Sequence, residues 1–198
     1  MKLFAFPALL ARQKYIARWG LMRSSRTETL SEHTAETAQL AFLLASLAKG
    51  RYGEAVKPER VAAAALYHDA GEILTGDLPT PIKYKNDTLK NAYKELEKQA
   101  DQSLLCLLPP EVLDELAPAL TGSALTAREA AILKAADKLS ALIKCVEEQQ
   151  SGNLEFESAR AAQLAALQVL GLPEVEFFLE TMLPCYYKTL DELTRGAF

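Results

Sequence analysis

Val61-Ala-Ala-Ala-Ala-Leu-Tyr67-His68-Asp69-Ala70-Gly71-Glu72 is the stretch on which the fold turns. An alanine-rich apolar run, opened by Pro58, has the pattern of a buried helix. Alanine costs a helix least, and proline is tolerated where the first N–H has no partner. At the end of this run an imidazole stands beside a carboxylate. The chain has only two histidines, His33 and His68, against 26 acidic groups in 198 residues. Placing one of them in a His-Asp pair at the end of an apolar segment points to a chemical role.

Helical periodicity extends outward in both directions. Thr34 to Lys49 carries apolar residues at helical spacing and is expected to end before Gly50. Thr29 and Glu32 form a capping-box pattern at its entrance, which puts His33 in its first turn. The helix opened by Pro58 is expected to carry His68 and Asp69. Gly76-Asp77-Leu78-Pro79-Thr80-Pro81 reads as a rigid loop. Asn86 to Leu108 resumes as a charged amphipathic helix, Glu111 to Leu120 as a short one, and Thr126 to Gln150 as a long one capped by Thr126 and Glu129. Two further helices, Glu155 to Leu170 and Glu174 to Thr194, flank Gly171-Leu172-Pro173. Alternating strands, glycine-rich phosphate loops and repeats are absent. The pattern predicts an all-α chain, one globular helical-bundle domain spanning 1–198.

Composition narrows the function classes. A net charge of -4 argues against nucleic acid or an anionic membrane as partner, since both reward clustered Lys and Arg. Cys106, Cys145 and Cys185 are odd in number and form no CxxC pair, which suits reduced thiols. The opening Met1 to Ala11 superficially resembles a signal peptide, but it is short, contains Pro7 and runs straight into Arg12 and Lys14. No run approaches the ~18–20 apolar residues of a membrane span. A cytoplasmic protein is expected.

His33, His68, Asp69 and Asp137 make a mixed nitrogen and oxygen donor set suited to a catalytic divalent metal. Asp137 lies in Ile132-Leu-Lys-Ala-Ala-Asp137, a lone carboxylate on an otherwise core-facing stretch, and a cation would offset much of the cost of burying it. Each residue alone has an ordinary structural explanation: His33 as a polar helix start, Asp137 as partner to a lysine. The four together favour the metal. Mn²⁺, Co²⁺, Ni²⁺, Fe²⁺ or Zn²⁺ all fit, and donor softness does not choose among them. Glu72, three residues after Asp69 and four after His68, shares their helical side and is placed to handle protons without being a ligand.

These residues resemble the HD-domain metal phosphohydrolases. Arg18-Trp19, Thr27-Glu28, Ser31-Glu32-His33, Tyr67-His68-Asp69, Glu72 and Thr75-Gly76-Asp77-Leu78-Pro79-Thr80-Pro81 are similar, within that superfamily, to bacterial 5′-deoxynucleotidases. Gly71 and the alanine-rich flanks look like ordinary drift. The resemblance implies hydrolysis of deoxyribonucleoside 5′-monophosphates to deoxynucleoside and phosphate. It also implies one divalent metal per subunit, cobalt or manganese foremost, on His33, His68, Asp69 and Asp137. Glu72 would be catalytic and Arg18 would orient the phosphate. Trp19, Asp77, Leu78, Pro79 and Thr80 would contact substrate, together with His33 and Asp137 at the metal, in a homodimer with little base preference.

Elementary chemistry is consistent with those roles. A bound cation acidifies water and neutralises phosphate charge, and Arg18 offers a planar donor fork that stays charged at any working pH. Trp19 is the sole tryptophan and a candidate wall against ribose; Asp77 is a candidate acceptor for the 3′-hydroxyl. With only two histidines a mononuclear site is expected. The rival readings are an HD-type dNTP triphosphohydrolase or phosphodiesterase, a non-catalytic nucleotide-binding regulator, and a structural metal bundle. Phe177, Phe178, Met182, Leu183 and Tyr186 are expected to close the core, with a dimer face as the second choice.

Overall fold

The computed structural model describes residues 3–83 and 85–195, apart from the side chain of Thr80. Helices run α1 Phe6–Leu10, α2 Leu30–Tyr52, α3 Pro58–Ala65, α4 Glu72–Thr75, α5 Thr80–Lys83, α6 Asp87–Leu105, α7 Leu113–Leu120, α8 Ala127–Gln150, α9 Glu157–Leu170, α10 Pro173–Thr181 and α11 Leu190–Thr194. Among the described residues, the one extended pairing is an isolated antiparallel bridge, Ala17 to Thr29. The all-α expectation holds.

The two long helices, α2 and α8, form the axis of the molecule. Both begin with the predicted capping boxes, Thr29 with Glu32 and Thr126 with Glu129, each worth about 1 kcal/mol. Their contact is lined by small residues, Ala38, Ala41 and Ala45 on α2 and Ala135 and Ala136 on α8, interleaved with Leu44, Ile132, Leu139 and Leu142. Buried alanines let the two backbones approach closely, and this brings polar residues of both helices to one point. Val61 and Ala65 of α3 join the same core, as do Val175 and Phe178 of α10. Met182 and Leu183 pack against it. Phe178, Met182 and Leu183 therefore close the core as expected, whereas Phe177 lies under the Arg51 guanidinium and Tyr186 is 38 % exposed.

A second cluster joins Phe6, Ala70, Leu104, Leu108 and Leu120. It seats α6 beside the His-Asp segment. Gly71 has a purpose here: a Cβ built on it would lie 3.1 Å from Asp101 Oδ1 and 3.4 Å from Ala100 Cβ. The close approach of α6 thus corrects the reading of Gly71 as drift.

Beyond ends that move by two or three residues, and the short helix α5 that begins at Thr80 inside the segment expected as a loop through Pro81, three boundaries differ from the sequence expectation. The first long helix starts at Leu30 and runs through Gly50 to Tyr52, stopping at Gly53 with φ 72°; Gly53 N and Glu54 N close on Ala48 O and the Tyr52 hydroxyl donates to Pro173 O, which offset the cost of about 1 kcal/mol for an interior glycine. The segment Glu174 to Thr194 is not one helix. Pro184 removes an N–H and clashes with the preceding turn, so α10 gives way to a 3-10 turn, Leu183–Tyr187, and then to α11. The third difference concerns the His-Asp pair itself. Helix α3 ends at Ala65, and His68 and Asp69 lie in consecutive turns between α3 and α4.

Candidate metal centre and active site

A set of local hydrogen bonds accompanies that break. His68 Nδ1 lies 2.7 Å from the carbonyl of Ala65, the carbonyl that a continuing helix would offer to the N–H of Asp69. Here the imidazole bonds to that acceptor. The backbone tightens instead through Tyr67 N to Ala64 O and Ala70 N to Tyr67 O. This turns Asp69 toward α2 and α8.

His33, His68, Asp69 and Asp137 converge, each offering one donor atom within 4.8 Å of the others. His33 Nε2 is 3.2 Å from Asp137 Oδ1 and 3.6 Å from Asp69 Oδ2, and His68 Nε2 is 3.1 Å from Asp69 Oδ2. Both Nε2 atoms are buried and neither makes a hydrogen bond. Two imidazole nitrogens left without partners and facing two carboxylates fit a divalent cation, because an unsatisfied buried polar atom is costly otherwise. His68 Nδ1 donates to Ala65 O, which leaves its Nε2 lone pair directed at the site.

The charges shift one another. Burial works against charge on His68, but Asp69 outweighs it and lifts the pKa to about 9. Burial opposes the charge on Asp69 as well, and the two histidines overcome it, holding the carboxyl well below the usual range. His33 moves upward, Asp137 and Asp69 prevailing over burial. Asp137 moves downward, with His33 prevailing.

Glu72 opens α4, only 7 % exposed, with an Oε2 that has no hydrogen-bond partner. Burial, then Asp69 and Asp77, push its pKa up to about 9. With His68, Asp69, Gly71 and Asp101 it lines a cleft of about 250 Å³ beside α6. Asp77 follows Gly76, whose φ of 74° suits glycine. The hydroxyl of Tyr93 on α6 donates to Gly76 O at 3.1 Å and holds the loop down. Burial raises the pKa of Asp77, with Arg18 opposing. Leu78 and Pro79 are half-buried in that loop. The side chain of Thr80 lies outside the described residues.

Arg18 is 13 % exposed rather than a surface arginine, with one guanidinium nitrogen 3.7 Å from Asp69 Oδ2. It is held by Glu28, a residue to which the sequence pattern gave no role. A single oxygen, Glu28 Oε2, accepts from Trp19 Nε1 at 2.6 Å and from Arg18 Nε at 3.3 Å. Trp19 has φ 61° and is the one non-glycine residue with positive φ among the described residues. Such a conformation costs on the order of 1 kcal/mol or more. Its ring packs on Phe156, with centroids 5.2 Å apart. The loop is closed at its base by Arg18 N to Glu28 O and Leu30 N to Ile16 O, both 2.9 Å. It is anchored farther out by buried Glu148 of α8, which accepts from Ser25 N, Arg26 N, Asn153 Nδ2 and Lys144 Nζ.

Sequence reasoning also passed over Ser140 and Glu36. Ser140 Oγ lies 3.0 Å from His33 Nδ1 and donates to Glu36 Oε2 at 2.6 Å. A usable signal existed: Glu36 stands one helical turn after His33, and Ser140 one turn after Asp137.

Comparison with known proteins agrees with this geometry. Residues 5–186 match the family described as 5'-deoxynucleotidase YfbR-like. The chain belongs to that family. The 5'-deoxynucleotidase YfbR of Escherichia coli is 42 % identical over 197 residues, covering 100 % of this chain and 99 % of that protein. Among solved structures, an HD-domain phosphohydrolase from Listeria innocua superposes with a TM-score of 0.80 at 23 % identity, covering 91 % of this chain and 87 % of that one. The cyanophage S-2L HD phosphohydrolase DatZ, bound to dA and one catalytic Zn²⁺ ion, gives 0.64 at 19 %, covering 89 % and 95 %. At these identities the two structures establish the shared fold. Among the described residues no helix is long and apolar enough to cross a membrane.

Proposed function

We propose that this chain is a 5′-deoxynucleotidase, hydrolysing deoxyribonucleoside 5′-monophosphates to deoxynucleoside and orthophosphate. The observation that carries the reading is the pair of orphaned imidazole nitrogens facing Asp69 and Asp137, with Arg18 alongside. His33, His68, Asp69 and Asp137 would hold one divalent cation, with Co²⁺ or Mn²⁺ preferred on the strength of the family resemblance. Bound there, the cation acidifies water and neutralises charge on the phosphate.

The rest follows from the chain's own groups. Arg18, oriented by Glu28, would offer its terminal guanidinium nitrogens to the phosphate oxygens. Glu72, buried and partnerless at Oε2 beside the site, is placed to assist proton transfer as the 5′ oxygen departs. Trp19 and the loop Asp77 to Thr80 frame the sugar, Asp77 accepting from the 3′-hydroxyl. Trp19, fixed by Glu28 and Phe156, is rigid enough to crowd a 2′-hydroxyl. We assign the chain to one catalytic domain that works in the cytoplasm as a homodimer.

Phosphate release from dAMP, AMP and dATP, measured with a panel of divalent ions, tests the assignment. Orthophosphate from dAMP in Co²⁺ or Mn²⁺, lost in EDTA, is expected. Tripolyphosphate from dATP with no turnover of dAMP would overturn it in favour of a triphosphohydrolase. Glu72→Ala hydrolysing at the wild-type rate would remove Glu72 from the chemistry.

A further inference from the structure

The two histidines of the centre are supported in different ways. His68 gives its Nδ1 proton to a backbone carbonyl, a partner that no substitution at one position removes. His33 relies on side chains alone. Its Nδ1 meets Ser140 Oγ at 3.0 Å, and that hydroxyl donates its only proton to Glu36 Oε2 at 2.6 Å. With the hydroxyl proton committed to the carboxylate, the serine oxygen can only accept from His33. His33 and Ser140 are fully buried, so water does not take over either role.

The direction of this chain of bonds matters because of what stands on the other side of the ring. His33 Nε2 is 3.2 Å from Asp137 Oδ1. In the opposite tautomer an Nε2 proton would point at that carboxylate and bond to it, withdrawing two of the four donors from a cation at once. We propose that Ser140 and Glu36 are positioning residues which lock His33 in its Nδ1–H form and thereby set the affinity of the site for a divalent metal. The proposal rests on the metal reading above, and its readout is metal affinity rather than turnover.

Groups that orient a metal-bound histidine typically contribute 10- to 100-fold in affinity. Titration of the metal-free chain with Co²⁺, followed by visible absorbance in competition with a chelator, should show Ser140→Ala binding roughly 10- to 100-fold more weakly. Glu36→Ala should weaken it in the same direction. The double variant should bind about as weakly as Ser140→Ala, because both residues act through one bond. Wild-type affinity in Ser140→Ala, or independent effects that multiply in the double variant, would overturn the proposal.

Should the variants fail to fold, the wild type carries the test. With only two histidines, ¹⁵N-imidazole spectra of the Zn²⁺-loaded chain resolve both rings. The His33 Nδ1 proton should exchange slowly with water; rapid exchange would overturn the assignment. A wild type that binds Co²⁺ and hydrolyses no dAMP would refute the substrate assignment while the affinity series still decides the relay. A wild type that binds no Co²⁺ would refute both.

Discussion

Replacing Glu28 by alanine removes one oxygen on which two donors converge. Trp19 Nε1 at 2.6 Å and Arg18 Nε at 3.3 Å both lose their acceptor, in a place where Glu28 is only 8 % exposed. A hydrogen bond to a charged group contributes about 1.5–3 kcal/mol net. The guanidinium would keep its charge but lose the partner that fixes its orientation. If the anchoring of Arg18 is transmitted in full to substrate, kcat/KM for dAMP falls roughly 10- to 100-fold, since each 1.36 kcal/mol is a factor of ten. Trp19 is the sole tryptophan, so its fluorescence reports the same event: loss of the bond at Nε1 should shift the emission and weaken its response to added dAMP. Glu28→Gln offers one acceptor oxygen and should fall between wild type and alanine. A Glu28→Ala protein with wild-type kcat/KM and unchanged emission would refute the reasoning, because the fork would then orient neither residue.

Thermal stability in EDTA is expected to fall as pH rises from about 5 to about 9. His68 and Glu72 both have folded pKa values near 9, above their ordinary 6.5 and 4.5, so the folded state binds more protons across that range and loses stability as they leave; a Tm that climbs with pH by differential scanning fluorimetry would contradict it. At the acid end, Glu129 and Glu148 are held near about 2, so the stability they contribute above about 4.5 should drain away as pH falls toward 2. Glu148→Ala should cost about 3–5 kcal/mol in urea denaturation, because it leaves the buried Lys144 ammonium without its carboxylate, with only the Arg26 carbonyl still accepting from it, and frees Ser25 N and Arg26 N. A loss below about 1 kcal/mol would show that the loop is anchored elsewhere.

Much of the fold was legible because its signals are local. Thr29 with Glu32, and Thr126 with Glu129, mark helix entrances within four residues, and alanine and leucine spacing marks the buried faces. Convergence of His33, His68, Asp69 and Asp137 was inferable from donor chemistry alone. The break after Ala65 was not, because an alanine run reads as continuing helix and carries no trace of the tightened turns that follow it. Glu28 stood within a quoted motif, and nothing in the sequence showed that it would orient Arg18 and Trp19; Glu36 and Ser140 were harder to see. Serine and glutamate are common on helix surfaces, and their partners stand far away in sequence, Ser140 being 107 residues from His33. Pro184 was a visible signal, and apolar periodicity across it concealed the break it causes.

Helices α2 and α8 meet through alanine, and each carries one member of the convergent cluster, His33 or Asp137, with Glu36 or Ser140 a turn farther on. A slip of one helix along the other by a single residue rise, about 1.5 Å, would misalign His33 with Asp137 and Ser140 with Glu36 together. The centre is therefore a gauge of how these two rods are threaded past one another. During heating, release of the ion should precede melting of the helices, and a chain that has merely lost registry would pass as folded by circular dichroism while being chemically silent.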